Sequence, residues 1–208
     1  LWLNFCLQRI KHDFEYWAKS MAIISDKGKG RDIPFTLNRP QRNYLKAMEN
    51  LRLKNEPIDI ILCKARQWGG STLTQLYMLW IQLVHPLWAT NGKKITTSPY
   101  QGAQKTRVIS WSNSRYSLGS SQKPDSLRSE DISMAHLTEV GLWKATAGRK
   151  PEDLVQSIFG SIASGPYTMK ILESTAKGVG NFFHRTWIDA VAGRNNFTPV
   201  FIPWYAID

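Results

Sequence analysis

An α/β layer fold, with a mostly parallel central sheet flanked by helices, is what this sequence predicts. Three observations carry that prediction. Ile58-Asp59-Ile60-Ile61-Leu62-Cys63 is a short, nearly continuous apolar run rich in β-branched residues, the pattern of a strand covered on both faces. It is followed by a glycine-containing loop and then a helical run. Three more strand candidates, Ile132 to Leu137, Tyr167 to Leu172 and Pro199 to Trp204, come later and are interleaved with helical signals. Composition agrees: 208 residues with 42% hydrophobic and 21% charged side chains make one globular domain with room for a small appendage, and exclude a disordered or collagen-like chain.

Taken in order, Leu3, Leu7, Ile10, Phe14 and Trp17 recur at three or four residues, which predicts one amphipathic helix from Trp2 to Met21. Lys27-Gly28-Lys29-Gly30-Arg31 has no periodicity and reads as a mobile basic loop, either solvated or in contact with phosphate. These two segments form a leading unit, residues 1–34, ahead of the main domain, residues 35–208. Asn38 can cap a helix with Pro40 in its first turn, Gln41 near its start and Tyr44, Leu45, Met48 and Leu51 as its buried stripe. A helix through Leu73, Leu76, Tyr77, Trp80 and Leu83 is stopped by His85-Pro86. The polar interval Thr90 to Ser129 reads as irregular. Asn181 can cap a helix through Phe182, Phe183, Trp187, Ile188 and Val191, closed by Gly193.

Lys and Arg number 27 against 16 Asp and Glu, a net charge of +11, which favours a polyanionic partner such as nucleic acid or nucleotide. Cys6 and Cys63 belong to no C-x-x-C or Cys/His cluster, so neither a disulfide scaffold nor a zinc site is expected, and a reducing compartment fits. No apolar run approaches the roughly 20 residues that cross a bilayer, and the start shows no export signal. The chain begins with Leu1 and stops at Asp208 after an apolar run, so both ends are expected to be cuts from a longer polypeptide.

In an open parallel sheet, ligands collect at the C-terminal ends of the strands. If the strands are neighbours, Lys64 to Thr72, Thr138-Glu139 and Ser174-Thr175 share one edge. A phosphate-binding loop needs glycines so that backbone N–H groups close around oxygens, a cation for the charge and a hydroxyl for Mg²⁺. Gly69, Gly70, Ser71 and Thr72 stand between strand and helix, as this requires. Against G-x-x-x-x-G-K-[ST], the first glycine is replaced by Lys64 or Ala65 and the lysine slot holds Gly70. The positive charge has moved to the front of the loop, to Lys64 and Arg66, with Arg66 favoured for a terminal phosphate or a sensing role. Glu139, ending Met134-Ala135-His136-Leu137-Thr138-Glu139, is the general-base candidate, since nucleotide hydrolysis needs a carboxylate to orient water. His136 has no second His or Cys spaced to join it and is expected to pack in the sheet. Glu173-Ser174-Thr175-Ala176-Lys177-Gly178-Val179-Gly180 can sense a terminal phosphate through a hydroxyl.

Together, Arg66-Gln67-Trp68-Gly69-Gly70-Ser71-Thr72, Ala135-His136-Leu137-Thr138-Glu139-Val140 and Glu173-Ser174-Thr175-Ala176-Lys177-Gly178 resemble the ATPase motifs of tailed-phage terminase large subunits. Asn181-Phe182-Phe183-His184 and the closing Pro199-Val200-Phe201-Ile202-Pro203-Trp204-Tyr205 are similar to that family too, so the resemblance spans roughly Phe35 to Asp208. It implies a P-loop NTPase of the additional-strand, conserved-Glu type. Its work would be ATP hydrolysis powering translocation of double-stranded viral DNA into a procapsid, as a homo-oligomeric ring with portal protein and small terminase subunit, in the cytoplasm of a bacterial host. By residue, the resemblance implies nucleotide binding by Lys64, Arg66, Gln67, Trp68, Gly69, Gly70, Ser71 and Thr72. Gln41 would contact adenine, and Glu139 with Arg66 would act in catalysis. Ser174, Thr175 and Ala176 would couple hydrolysis to motion, and Ser71 with a hydroxyl from Thr138 would hold Mg²⁺.

Two departures from the family stand out. Thr138 occupies the place of the usual Walker B aspartate, and the stretch between Trp88 and Lys105 is short for a second strand and its helix. The family's RNase H-like nuclease domain would follow Asp208. Arg128 and Arg149 are arginine-finger candidates. Two other readings are open: a basic DNA-binding or docking module with a degenerate, non-hydrolysing P-loop, and another P-loop motor such as a helicase.

Overall fold

The computed structural model describes residues 2–26, 30–85, 106–109, 114–117, 119, 132–146, 148 and 150–207. The predicted first helix is two: α1 (Trp2–His12) and α2 (Phe14–Met21). Asp13 interrupts the run by capping α2, its Oδ1 accepting from the Tyr16 N–H at 2.9 Å, an alternative partner that a helix-interior backbone would not offer. β1 (Ile23–Asp26) and β2 (Arg31–Pro34) pair antiparallel on either side of the basic tract, of which residues 27–29 lie outside the described set. α3 (Arg39–Leu53) starts as predicted, with a reciprocal capping box between Asn38 and Gln41. β3 (Ile58–Lys64) leads through the glycine loop into α4 (Gly70–Val84).

Most of the interval expected to be irregular lies outside the described residues, as does the stretch between Trp88 and Lys105. Within that interval, however, β4 (Thr106–Ile109) and β5 (Ser114–Ser117) form an antiparallel ribbon, which corrects the expectation there. Their β-branched Thr106, Val108 and Ile109 were a strand signal masked by polar surroundings. β6 (Met134–Leu137) ends just before Glu139 and a 3₁₀ turn, Val140–Leu142. α5 (Pro151–Phe159) was not anticipated, although Pro151, Glu152 and Asp153 in its first turn and Leu154, Val155, Ile158 and Phe159 at helical spacing all mark it. β7 (Met169–Ser174), α6 (Phe182–Val191, capped by Asn181) and β8 (Thr198–Ile202) complete the chain.

The central sheet has the order β6-β7-β3-β8, with every pairing parallel. Successive residues of its inner strands feed opposite faces, as the two-residue period of a strand demands. Ile60 and Leu62 of β3 and Ile171 of β7 join Tyr44, Met48, Tyr77 and Trp80 of α3 and α4 on one side. Ile61 and Leu172 join Leu154, Ile158 and Phe183 of α5 and α6 on the other. α2 belongs to the first of these cores: Phe14 meets Tyr77 and Trp80 edge-on, with ring centroids 5.1 and 5.5 Å apart, contacts worth roughly 0.5–1.5 kcal/mol each. α1 buries no residue fully and is tied down where Trp80 Nε1 donates to the Ile10 carbonyl at 2.9 Å. No helix among the described residues is long and apolar enough to cross a membrane.

Candidate functional site

Parallel pairing sets the C-terminal ends of β3, β6 and β7 side by side, and the three sequence segments singled out for chemistry leave the sheet there. Between β3 and α4 the loop is shaped by what packs beneath it. Gln67 and Gly69 both have left-handed backbone, at φ +63° and +78°. Gly69 is doubly constrained, since a Cβ there would also lie 2.6 Å from Gln41 Nε2. At Gly70 a Cβ would run into the buried Trp68 indole, 2.7 Å from its Cε2 and Cη2. The slot a P-loop gives to lysine is therefore barred to any side chain by Trp68. α3 holds the loop from behind: Gln41 Nε2 donates to the Gly69 carbonyl and Asn38 Nδ2 to the Trp68 carbonyl, both at 3.1 Å. Over the loop lies a cavity of about 210 Å³ lined by Lys64, Gln67, Trp68, Gly69, Gly70, Ser71, Thr72 and Glu173. The start of α4 faces it, where N–H groups and the helix dipole favour an anion.

The charges at the edge form one network. Lys64 Nζ lies 2.8 Å from Glu139 Oε1 and 3.2 Å from Glu173 Oε1. Ser71 Oγ donates to the same Glu173 oxygen at 2.6 Å, and His136 Nε2 sits 2.5 Å from Glu173 Oε2. Burial by itself would raise the Glu173 carboxyl; the bonds from His136 and Ser71, with the Lys64 charge, outweigh it and hold the group below its ordinary value. Glu139 is likewise held down, Lys64 and then Thr175 outweighing desolvation. Lys64 responds in the opposite sense: burial disfavours its ammonium, yet the two carboxylates raise it.

A second set of bonds ties Glu139 to the end of β7. Glu139 has left-handed backbone at φ +54° and receives the Thr175 hydroxyl on Oε2 at 3.2 Å. Fully buried Ser174 accepts the Gly141 N–H at 3.0 Å and donates to the Thr175 carbonyl at 2.8 Å. Thr175 and Ser174 thus touch both the carboxylate and the turn that follows it.

Lys64, Gln67, Trp68, Gly69, Gly70, Ser71 and Thr72 line one cavity, and Glu139, Ser174 and Thr175 adjoin it through hydrogen bonds. Arg66 is exposed and makes no ion pair among the described residues; Lys64 is the cation turned into the site. Gln41 is buried, with Oε1 taking the Asn38 N–H in the capping box of α3 and Nε2 spent on the Gly69 carbonyl of the loop. Thr138 is exposed beyond the end of β6, and Ala176 is exposed after Thr175. Arg128 and Arg149 lie outside the described residues. The residue that sequence reasoning passed over is Glu173. Its signal was an acidic side chain directly after the apolar pair Ile171-Leu172 of a strand, 1% exposed in the folded chain. Among the described residues no three His, Cys, Asp or Glu side chains form a metal cluster.

The chain matches no protein-family model, and no curated protein matches it in sequence. Fold and site together define a mixed α/β protein: an all-parallel four-stranded sheet flanked by helices, of the kind shared by Rossmann-like and P-loop folds, with a charged pocket at its C-terminal edge.

Proposed function

We propose that this chain is a P-loop ATPase whose hydrolysis of ATP drives double-stranded DNA, as the motor domain of a tailed-phage terminase large subunit does. The observation that carries the reading is the convergence, from three parallel strands, of Lys64, Glu139 and the Ser174-Thr175 segment on a glycine loop that opens a helix. The strand order supports it: β7 is inserted between the loop-bearing β3 and the Glu139-bearing β6, the arrangement an additional-strand ATPase implies. The charge of +11 suits contact with phosphates irrespective of sequence and predicts DNA affinity that falls steeply with salt.

In this reading the loop N–H groups and Lys64 bind the phosphates, and Arg66, exposed on the loop after β3, is available to a terminal phosphate or a neighbouring subunit. Glu139 accepts a proton from the attacking water once Lys64 turns to the nucleotide. The donors at the site fit a magnesium ion, a hydroxyl at Ser71 and an ionised carboxylate beside it, the remaining ligands coming from water and phosphate. Such an ion supplies charge neutralisation on the phosphates. Thr175 reports the state of the Glu139 carboxylate to α6.

The tie between Glu139 and Lys64 favours a second reading, a basic DNA-binding module whose base is permanently occupied. Phosphate release from Mg²⁺-ATP, with and without duplex DNA, separates the two when the chain is compared with Glu139→Gln. Turnover abolished by that substitution supports the motor. Nucleotide binding without turnover, in the full ring as well, supports the module.

A further inference from the structure

We propose that Glu173 supplies the carboxylate of the divalent-cation site, shared with the Ser71 hydroxyl. The proposal rests on the nucleotide reading above and adds a metal-binding residue to it. β6 ends at Leu137, beside Leu172 of β7, so Thr138 follows the end of one strand where Glu173 continues the next. Thr138 offers a hydroxyl where an acid would serve, and the acid stands one strand over, closer to the glycine loop.

Three contacts fit Glu173 for that work. Its Oε1 is 2.6 Å from Ser71 Oγ, so one short span already joins a hard carboxylate oxygen and the loop hydroxyl. The same Oε1 faces Lys64 Nζ at 3.2 Å, so it looks onto a cationic position at the cavity wall. Its Oε2 is held by His136 Nε2 at 2.5 Å, an outer partner that fixes the carboxylate's orientation and leaves Oε1 directed toward the pocket. Glu139, by contrast, is more exposed, is tied to Thr175 and does not line the cavity. Two carboxylates with different partners then have different tasks, one for the ion and one for water. Magnesium bound with a nucleotide takes one or two protein carboxylates and completes its octahedron with water and phosphate oxygens.

The test is ADP binding by the whole chain, followed by calorimetry with and without Mg²⁺, and Mn²⁺ binding followed by its electron paramagnetic resonance signal. In the unaltered chain the metal is expected to tighten ADP binding. Glu173→Gln, nearly isosteric, is expected to lose that tightening and to weaken Mn²⁺ by about tenfold or more. Thr138→Asp, which places a carboxylate on the neighbouring strand end, is expected to restore metal dependence to Glu173→Gln. Should Glu173→Gln unfold, Glu173→Asp keeps the charge and draws the oxygen back by one methylene; it too is expected to weaken Mn²⁺ severalfold. ADP binding whose Mg²⁺ dependence is unchanged by these substitutions overturns this proposal and leaves the nucleotide reading standing. No ADP binding by the unaltered chain overturns both.

Discussion

Lys64 Nζ joins Glu139 Oε1 at 2.8 Å to Glu173 Oε1 at 3.2 Å, so one ammonium from β3 holds carboxylates from β6 and β7. The three strand ends are cross-linked by charge where backbone pairing stops. Lys64→Met keeps the stem but removes the cation, leaving nearly inaccessible Glu173 with only His136 and Ser71 to hold its charge. Breaking a buried pair from one side costs about 3 kcal/mol or more, so a clear drop in midpoint is expected in urea unfolding. Nucleotide binding is expected to vanish as well, and a variant that still bound ATP at native affinity would remove Lys64 from the phosphate site.

Trp68 and Gly70 make a coupled pair, because the indole fills the space a Cβ at position 70 would take. Gly70→Lys, which restores the conventional loop lysine, is therefore expected to disrupt the loop and bind nucleotide worse than the natural chain. Even Gly70→Ala is expected to lose about 1–3 kcal/mol from overpacking. Trp68→Ala opens that space at the expense of a core aromatic. The double variant should be more stable than the sum of the two single losses predicts, a coupling that a double-mutant cycle in denaturant measures directly.

How much of this was readable beforehand follows from which forces act locally. β3, α3, α4 and α6 were marked by apolar period and by caps at Asn38 and Asn181, signals contained within a dozen residues. The parallel edge that gathers Lys64, Glu139 and Thr175 was also foreseeable, since alternation of strand and helix fixes the direction of each strand. What escaped depended on partners distant in sequence. Glu173 acquires meaning only when Ser71 and His136 are brought to it, and the choice of Lys64 over Arg66 turns on which of two residues, two apart on β3 and its exit, faces the cavity. The break at Asp13 was missed for the opposite reason: its local capping competed with a periodicity that runs straight through it.

His85 closes α4 with its ring buried against Tyr167, the centroids 4.7 Å apart. Burial, with the nearby positive charge of Arg52, His12 and Lys11, pushes its pKa down to about 4. An unfolded chain takes up that proton near the ordinary value of about 6.5. Between those limits the unfolded state binds more protons, so this contribution to stability is complete above about pH 6.5 and is lost as pH falls toward 4. Thermal midpoints measured across that window should decline in the natural chain, and His85→Gln should flatten the decline while lowering the plateau. An equal slope in both would take His85 out of the account.

Gln41 offers a choice between two roles that nucleotide analogues can separate. Its Oε1 completes the capping box of α3 and its Nε2 supports the Gly69 carbonyl, so one end of the side chain holds the helix start and the other the loop. Gln41→Ala removes both bonds, and losing one side of the cap alone costs about 1 kcal/mol. On the proposed nucleotide reading, a loop slackened in this way is expected to hold phosphates less well, whatever base they carry. Affinities for ATP, GTP and inorganic tripolyphosphate are therefore expected to fall by similar factors in Gln41→Ala. An adenine-reading glutamine would act differently: ATP alone would weaken, and its preference over GTP would disappear while tripolyphosphate binding stayed as it was. Because the three ligands share their phosphates and differ only in the base, the pattern across them identifies the role even if the variant is less stable.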